Sequence, residues 1–210
     1  MPAYFSLILE FSRKNICPGL MQNFQEALAS AGLAFQSGYW ESEQDNLQSI
    51  LNWNQKLLEQ DFELGYDENV SHDYKQMLFR LDGFRHVRGF WMNRYPVREE
   101  FSFALVIPEA ELFGDDVTTL KESYLPEKMQ ILRDLACRLW EVCPVMSIQT
   151  ELELTGSCAC YQDIVYGKER PSAHPFAILP RNAAKTKDFM QFQKTSLHRG
   201  GMLLELSGNL

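Results

Sequence analysis

The chain has 210 residues, of which 45% are hydrophobic and 12% aromatic. A chain of this composition can form a hydrophobic core without disulfide bonds or bound metals. Its 28 acidic and 20 basic residues give a formal net charge of −8. This charge repels phosphate backbones and anionic lipids, so it excludes nucleic acid and membrane surfaces as expected partners.

The first element in chain order is an apolar run from Ala3 to Leu9. No basic stretch precedes the run and no Ala-x-Ala-like cleavage site follows it, so it does not fit a secretion signal. It is also too short to be a membrane-spanning helix. We therefore predict a strand over Tyr4 to Phe11 and a cytoplasmic location.

Helical and strand periods then alternate. Pro18 is placed to open a helix, Leu33 to Trp40 can form a strand, and the 3.6-residue spacing from Leu47 to Phe62 predicts an amphipathic helix. The remaining predicted elements are strands over Met77 to Leu81 and Phe84 to Tyr95 joined at Asp82-Gly83, a strand over Glu100 to Ile107, a helix from Pro126 to Cys143, a strand over Val145 to Leu154 and a last strand over Met202 to Leu206.

Together these elements predict an α+β fold with a mainly antiparallel sheet and helices packed on one face. The Val145 to Leu154 strand alternates apolar and polar residues, a pattern typical of a sheet with one wet face. Length and pattern favour a single domain over residues 1–210, with a loosely patterned C-terminal segment from about residue 167.

Nothing in the sequence predicts a metal or a cofactor. The five cysteines have no regular spacing, so reduced thiols are expected. Cys158-x-Cys160 could supply two metal ligands or a redox pair, but zinc sites normally need two further ligands at recognisable spacing. We interpret these thiols as structural. Carboxylate pairs such as Glu99-Glu100 could bind a hard cation, but they lack the spacing of a calcium loop.

No catalytic residue is predicted either. His72, His86, His174 and His198 match no catalytic or metal-binding pattern, and the glycine motifs of nucleotide-binding loops are absent from the sequence. His72 lies in a predicted loop, where it could serve as a general base, but the sequence indicates no nucleophilic residue next to it. We interpret the histidines as structural or surface residues.

Negative charge is concentrated between Glu41 and Asp73, a segment with nine acidic residues and one basic residue, Lys56. One interpretation is a solvated face that opposes aggregation. The other is a docking surface for a basic protein, because Tyr39, Trp40, Tyr66 and Tyr74 would add aromatic anchors to steering charge. Trp53 and Phe62 have the helical spacing of core residues instead. The residues predicted to bind the partner are Trp40, Glu41, Glu43, Asp45, Asp61, Glu63, Tyr66, Asp67 and Glu68.

The overall profile resembles the immunity proteins of bacterial polymorphic toxin systems. The likeness lies in an N-terminal strand-helix unit, Tyr39-Trp40 before an acidic helix, and the Arg-Gly-Phe-Trp run at 88–91. It implies a non-catalytic cytoplasmic protein that binds and neutralises a toxin. The alternatives are a small hydrolase or transferase that uses His72 or His174 with nearby carboxylates, and an oligomeric scaffold. A deep cleft in which His72, His174 or Cys158 meets a carboxylate would favour the enzyme.

Overall fold

The computed structural model describes residues 3–65, 70–94, 98–116, 121–154, 158–183, 189 and 191–206. The strands are β1 (Tyr4–Ser12), β2 (Ala34–Tyr39), β3 (Gln76–Arg80), β4 (Val87–Met92), β5 (Glu100–Pro108), β6 (Phe113–Asp116), β7 (Lys121–Tyr124), β8 (Val145–Leu152), β9 (Phe176–Pro180), β10 (Phe192–Ser196) and β11 (Gly201–Leu206). The helices are α1 (Leu20–Ser30), α2 (Leu47–Glu59), α3 (Pro126–Val142) and α4 (Tyr161–Val165).

Nine strands form one sheet in the order β10-β11-β9-β8-β1-β5-β4-β3-β2, and β6 pairs with β7 in a small second sheet. All of these strand pairs are antiparallel. β1 lies in the middle of the large sheet, where it pairs with β5 on one side and β8 on the other. The N-terminal strand therefore joins the central part of the chain to its C-terminal part.

Helices α1, α2 and α3 contribute to one apolar core on one face of this sheet. Asn46 caps α2 by accepting a hydrogen bond from the Ser49 N–H at 2.9 Å, and Pro126 opens α3 in its first turn. The prediction of an α+β fold with a mainly antiparallel sheet and helices on one face is confirmed. The β1 residues on this face are all fully buried, and they are Phe5, Leu7, Leu9 and Phe11.

The opposite face of the sheet is not the wet face that the sequence predicted. Ser147 and Gln149 on β8 are at most 1% exposed. The reason is that residues 158–173 fold over them: the Gln149 Nε2 donates to the Ala159 carbonyl oxygen at 2.7 Å, and its Oε1 accepts from the Ser172 N–H at 2.9 Å. Alternation along β8 therefore separates an apolar buried face from a polar buried face.

Most predicted elements form with shifted ends. α1 begins at Leu20 instead of Pro18, after Gly19, whose φ is 84°. Within the described residues, the strand predicted over Phe84 to Tyr95 covers Val87–Met92, and Tyr95 lies outside them. Asp82-Gly83 lies in the connection before this strand, where Gly83 has a φ of 89°.

The segment after residue 167 contains more structure than its loose pattern indicated. The predicted strand over Met202 to Leu206 forms as β11, and β9 and β10, which the sequence did not predict, join the same sheet. The five cysteines are free thiols. Among the described residues, no helix has both the length and the apolar character needed to cross a membrane.

Candidate functional site

Trp40 lies on the surface at the end of the edge strand β2. The residue is 59% exposed, and its backbone has a φ of 56°. This left-handed conformation is rare for a bulky side chain and costs roughly 1–2 kcal/mol. It persists only where the surrounding structure enforces it.

The turn around Trp40 is fixed by Gly38 and Ser42. A Cβ atom at Gly38 would lie 1.8 Å from the Ser42 carbonyl oxygen, so this position requires glycine. The buried Ser42 hydroxyl accepts from the Tyr39 N–H at 3.2 Å and lies 2.7 Å from the Gln76 carbonyl oxygen on β3. These contacts hold the backbone on both sides of Trp40.

Trp40 forms part of a groove of about 410 Å³, which we call the Trp40 groove. Lys75 is the one basic residue among its described lining residues, and its Nζ lies 2.6 Å from the Asp45 Oδ2. Among the lining residues, three carboxylates outnumber one ammonium. The Arg88 guanidinium, 5.2 Å from the Tyr39 ring and 5.7 Å from the Phe90 ring, reduces this negative excess. The aromatic and acidic lining residues of the groove are Tyr39, Trp40, Tyr74, Phe90, Glu41, Asp45 and Asp73.

The structure brings together only some of the residues predicted to bind a partner. Trp40, Glu41 and Asp45 line the groove, and Glu43 is exposed just after the turn. Three of the predicted residues lie outside the described part of the chain, namely Tyr66, Asp67 and Glu68.

Asp61 and Glu63 do not line the groove. Asp61 is exposed but accepts a hydrogen bond from the Arg13 guanidinium, so its charge is already paired. Glu63 is exposed in the chain segment after α2. The grouping of Tyr74 with surface aromatic residues is wrong: the residue is 4% exposed, and its hydroxyl donates to the Phe62 carbonyl oxygen at 2.9 Å.

A second cavity, which we call the carboxylate cleft, opens on the covered face of the sheet. Its volume is about 270 Å³, and its walls come from β1, β4, β5, β8 and the segment from residue 158 to 169. The described residues that line this cleft do not include His72 or His174. Its polar and sulfur-containing side chains include Glu10, Arg94, Arg98, Glu100, Gln149, Glu151, Cys158, Cys160, Asp163 and Glu169.

Two glutamates are buried side by side in this cleft. The register of β1 and β5 makes Glu10 and Glu100 diagonal neighbours on one face, and they are 6% and 8% exposed. Glu10 accepts from the Ser147 hydroxyl at 2.7 Å and from the Tyr161 N–H at 2.9 Å. Burial, reinforced by Glu100, nevertheless raises the pKa of Glu10 to about 8.

Cys160 completes this cluster just before α4. Its Sγ and one carboxylate oxygen from each of Glu10 and Glu100 lie within 4.8 Å of one another. Burial and the neighbouring Glu100 raise the pKa of the Cys160 thiol to about 12, against a lowering effect of Arg98, which donates to the sulfur. The thiol therefore keeps its proton at neutral pH and is a weak nucleophile.

Sequence reasoning did not group these three residues, because they come from distant segments. One signal was available: Glu10 is the only charged residue in the strand predicted over Tyr4 to Phe11. A charge in a strand that is otherwise apolar needs a partner, since burying it alone is costly. The Cys158-x-Cys160 pair was considered for metal binding, but only Cys160 joins the cluster.

Comparison with known proteins assigns this chain to no family. No protein-family model matches the sequence, and no curated protein matches it. Among solved structures, the chain is similar to Pseudomonas aeruginosa T6SS protein PA0821, with a TM-score of 0.35 and 12% sequence identity. The match covers 97% of this chain and 65% of that chain, so this chain spans less than two thirds of its neighbour's length. A likeness at this level carries no argument about function.

Proposed function

We propose that this protein binds a basic partner protein through the Trp40 groove and neutralises it, as an immunity protein neutralises a toxin. The exposure of Trp40 in an enforced left-handed turn is the observation that carries this proposal. A large apolar side chain gains free energy when it leaves water, and tryptophan is frequent among the residues that dominate interfaces. A partner that buries the Trp40 ring offsets the cost of displaying it.

The lining of the groove indicates the chemistry of the partner. Glu41, Asp45 and Asp73 outnumber Lys75, so the groove attracts lysine and arginine side chains. A cation can also lie over the face of the Trp40 ring. The occupant that fits both features is a basic segment of a folded protein or an extended basic loop.

A neutralising role is supported by the profile resemblance to immunity proteins, which is carried by Tyr39-Trp40 before α2 and by the run at 88–91. A toxin inhibitor acts by affinity, so the role requires no catalytic group. Within this proposal the chain works in the cytoplasm of a bacterium.

The first experiment identifies the partner. A photo-crosslinking amino acid placed at position 40 of the full chain should capture one protein from the native organism. The same amino acid at position 166 is the matched control, because Tyr166 is also an exposed aromatic residue, 71% exposed, and does not line the Trp40 groove. Capture of the same proteins at both positions would contradict the proposal.

The second experiment measures binding kinetics with the captured protein. Trp40→Ala should raise the dissociation rate, and Glu41→Lys with Glu43→Lys should slow association. The slowing should diminish as salt screens the charges. Glu26→Lys with Glu127→Lys changes the net charge equally at exposed sites away from the groove, so it should slow association less. Equal slowing by both pairs, with an unchanged dissociation rate for Trp40→Ala, would remove the groove from the interface.

The alternative of an enzyme has one observation in its favour. Cys158 lies next to the Glu151 carboxylate in the carboxylate cleft. Burial and Glu151 raise the pKa of this thiol, which disfavours the thiolate that nucleophilic catalysis needs. Incubation with ester and amide substrates tests this alternative, and turnover that Cys158→Ser abolishes would support it.

A further inference from the structure

We propose that Glu10, Glu100 and Cys160 form a binding site for a divalent cation of the zinc class in the carboxylate cleft. The site is separate from the Trp40 groove, and the inference does not depend on the proposed partner. One thiolate sulfur and two carboxylate oxygens are all established ligand types for Zn²⁺. The sulfur disfavours Mg²⁺ and Ca²⁺, which take oxygen ligands.

The three ligand atoms already converge. They lie within 4.8 Å of one another. Ligands about 2.0–2.3 Å from a tetrahedral zinc ion are separated by roughly 3.3–3.7 Å, so movements of about 1 Å would bring all three into bonding distance. Small rotations of the two glutamate side chains and Cys160 can supply such movements.

The burial and hydrogen bonding of Glu100 give a second observation, beside the convergence of the ligand atoms, that points to a cation. The residue is 8% exposed and lines the cleft, and its Oε2 has no hydrogen-bond partner among the described residues. A protonated Glu10 carboxyl or Cys160 thiol can donate a hydrogen bond to Glu100. Zinc binding releases these protons to solvent, because metal ligands must be deprotonated, and the cation then takes their place beside Glu100. A buried carboxylate oxygen without a partner is costly, and a bound cation removes that cost.

Arg98 shows that the cluster attracts positive charge. Its guanidinium donates to the Cys160 sulfur at the mouth of the cleft. The Arg98 residue is exposed, so the side chain has room to move outward when a metal ion takes its place at the sulfur. Arg98 is therefore a competitor of the metal ion.

Three protein ligands leave one tetrahedral position for water or another small ligand. The cleft provides space for it, with a volume of about 270 Å³. Glu10 is held in place by Ser147 and Tyr161, which orient its carboxylate. Such outer contacts commonly fix the ligands of metal sites.

The test is a titration of the metal-free full chain with Zn²⁺ in competition with a chromophoric chelator. One Zn²⁺ per chain should bind. Glu100→Gln and Cys160→Ser should each weaken binding by at least about tenfold, the factor seen even for outer-shell contacts. Glu169→Gln is the matched control, because it removes a charge from the same cleft outside the cluster and should leave the affinity nearly unchanged. Arg98→Ala should bind at least as tightly as the wild type.

A second readout needs no variant and so remains valid if a substitution prevents folding. Bound Zn²⁺ should slow alkylation of Cys160 by iodoacetamide, measured by mass spectrometry, while the exposed Cys17 reacts at its usual rate. Equal alkylation of Cys160 with and without Zn²⁺ would overturn the proposal. So would wild-type affinity in both Glu100→Gln and Cys160→Ser.

Discussion

At the scale of single residues, Trp40 adopts a strained, left-handed backbone conformation. At a φ of 56°, the Cβ of a tryptophan causes steric strain. Glycine has no Cβ and adopts this conformation without that strain. The turn that imposes this φ is built from Gly38 and Ser42, which contact each other tightly. The free protein therefore bears a local destabilisation that a binding function would explain.

This backbone strain predicts that glycine at position 40 gives a more stable protein than alanine does. Trp40→Gly should be more stable than Trp40→Ala by about 1 kcal/mol, because glycine relieves the left-handed strain. Urea unfolding of both variants measures the difference. Tyr166, at a φ of −79°, is the matched control, and there the glycine variant should be the less stable one. A Trp40→Gly variant less stable than Trp40→Ala would show that the turn carries no strain.

Residue-scale prediction from sequence succeeded where helical spacing indicated which residues are buried. Trp53 and Phe62 pack against the core, as their helical spacing predicted. Tyr74 was misplaced, because an aromatic residue next to acids has the same local pattern whether it is buried or exposed. Asp61 belongs to an acidic run in sequence, yet folding pairs it with Arg13, directly after β1.

At the scale of elements, the C-terminus of α3 is closed by a distant residue. Its last carbonyl groups would otherwise lack partners. The Arg199 Nη1, from the connection between β10 and β11, lies 2.8, 2.9 and 2.8 Å from the carbonyl oxygens of Trp140, Glu141 and Cys143. Gly201 allows this approach, since a Cβ there would lie 2.4 Å from the Trp140 Nε1.

Arg199 should therefore stabilise the fold. Arg199→Ala should lower the free energy of unfolding by about 1.5–3 kcal/mol, the range for hydrogen bonds that involve a charged group. Arg181→Ala, at an exposed arginine directly after β9, should change it by less than about 0.5 kcal/mol. Thermal unfolding followed by circular dichroism measures both. Equal small effects would mean that water caps α3 as well as Arg199 does.

The elements that the sequence predicted well are those in which the apolar pattern repeats several times along the chain. α2 and α3 each show an apolar stripe over three or more turns, so their existence follows from the sequence. β10 shows no alternation, because only Phe192 of its five residues is buried. β9 is buried along almost its whole length and lies between prolines, so it also lacks a strand period.

At the scale of the whole molecule, the carboxylate cleft was not predicted from the sequence because both faces of the sheet are covered around β1 and β8. Alternation along β8 indicated a buried and a wet face, and an acid on a wet face needs no explanation. Residues 158–173 cover that second face and leave the carboxyl groups of Glu10 and Glu100 buried. Only the long-range path of the chain reveals this, since no local pattern states which segment lies over which face.

The C-terminal segment should also unfold together with the rest of the chain. Phe176 and Ile178 of β9 and Leu203 of β11 belong to the same core cluster as residues of α1, α2 and α3. Leu203 is 4% exposed, so Leu203→Ala should lower the free energy of unfolding by about 2–5 kcal/mol. The loss should affect the whole molecule, because a shared core makes unfolding a single cooperative transition.

Two probes test this cooperativity. In a Trp140→Phe background, Trp53 and Trp91 remain as the tryptophans packed in or against the core far from β11 in sequence. Their fluorescence midpoint and the circular dichroism midpoint in urea should shift equally when Leu203→Ala is added. Thr195→Ala, exposed on β10, is the control and should move neither midpoint by much. A fluorescence midpoint that stays in place while the circular dichroism midpoint falls would mean that the C-terminal strands unfold as a separate unit.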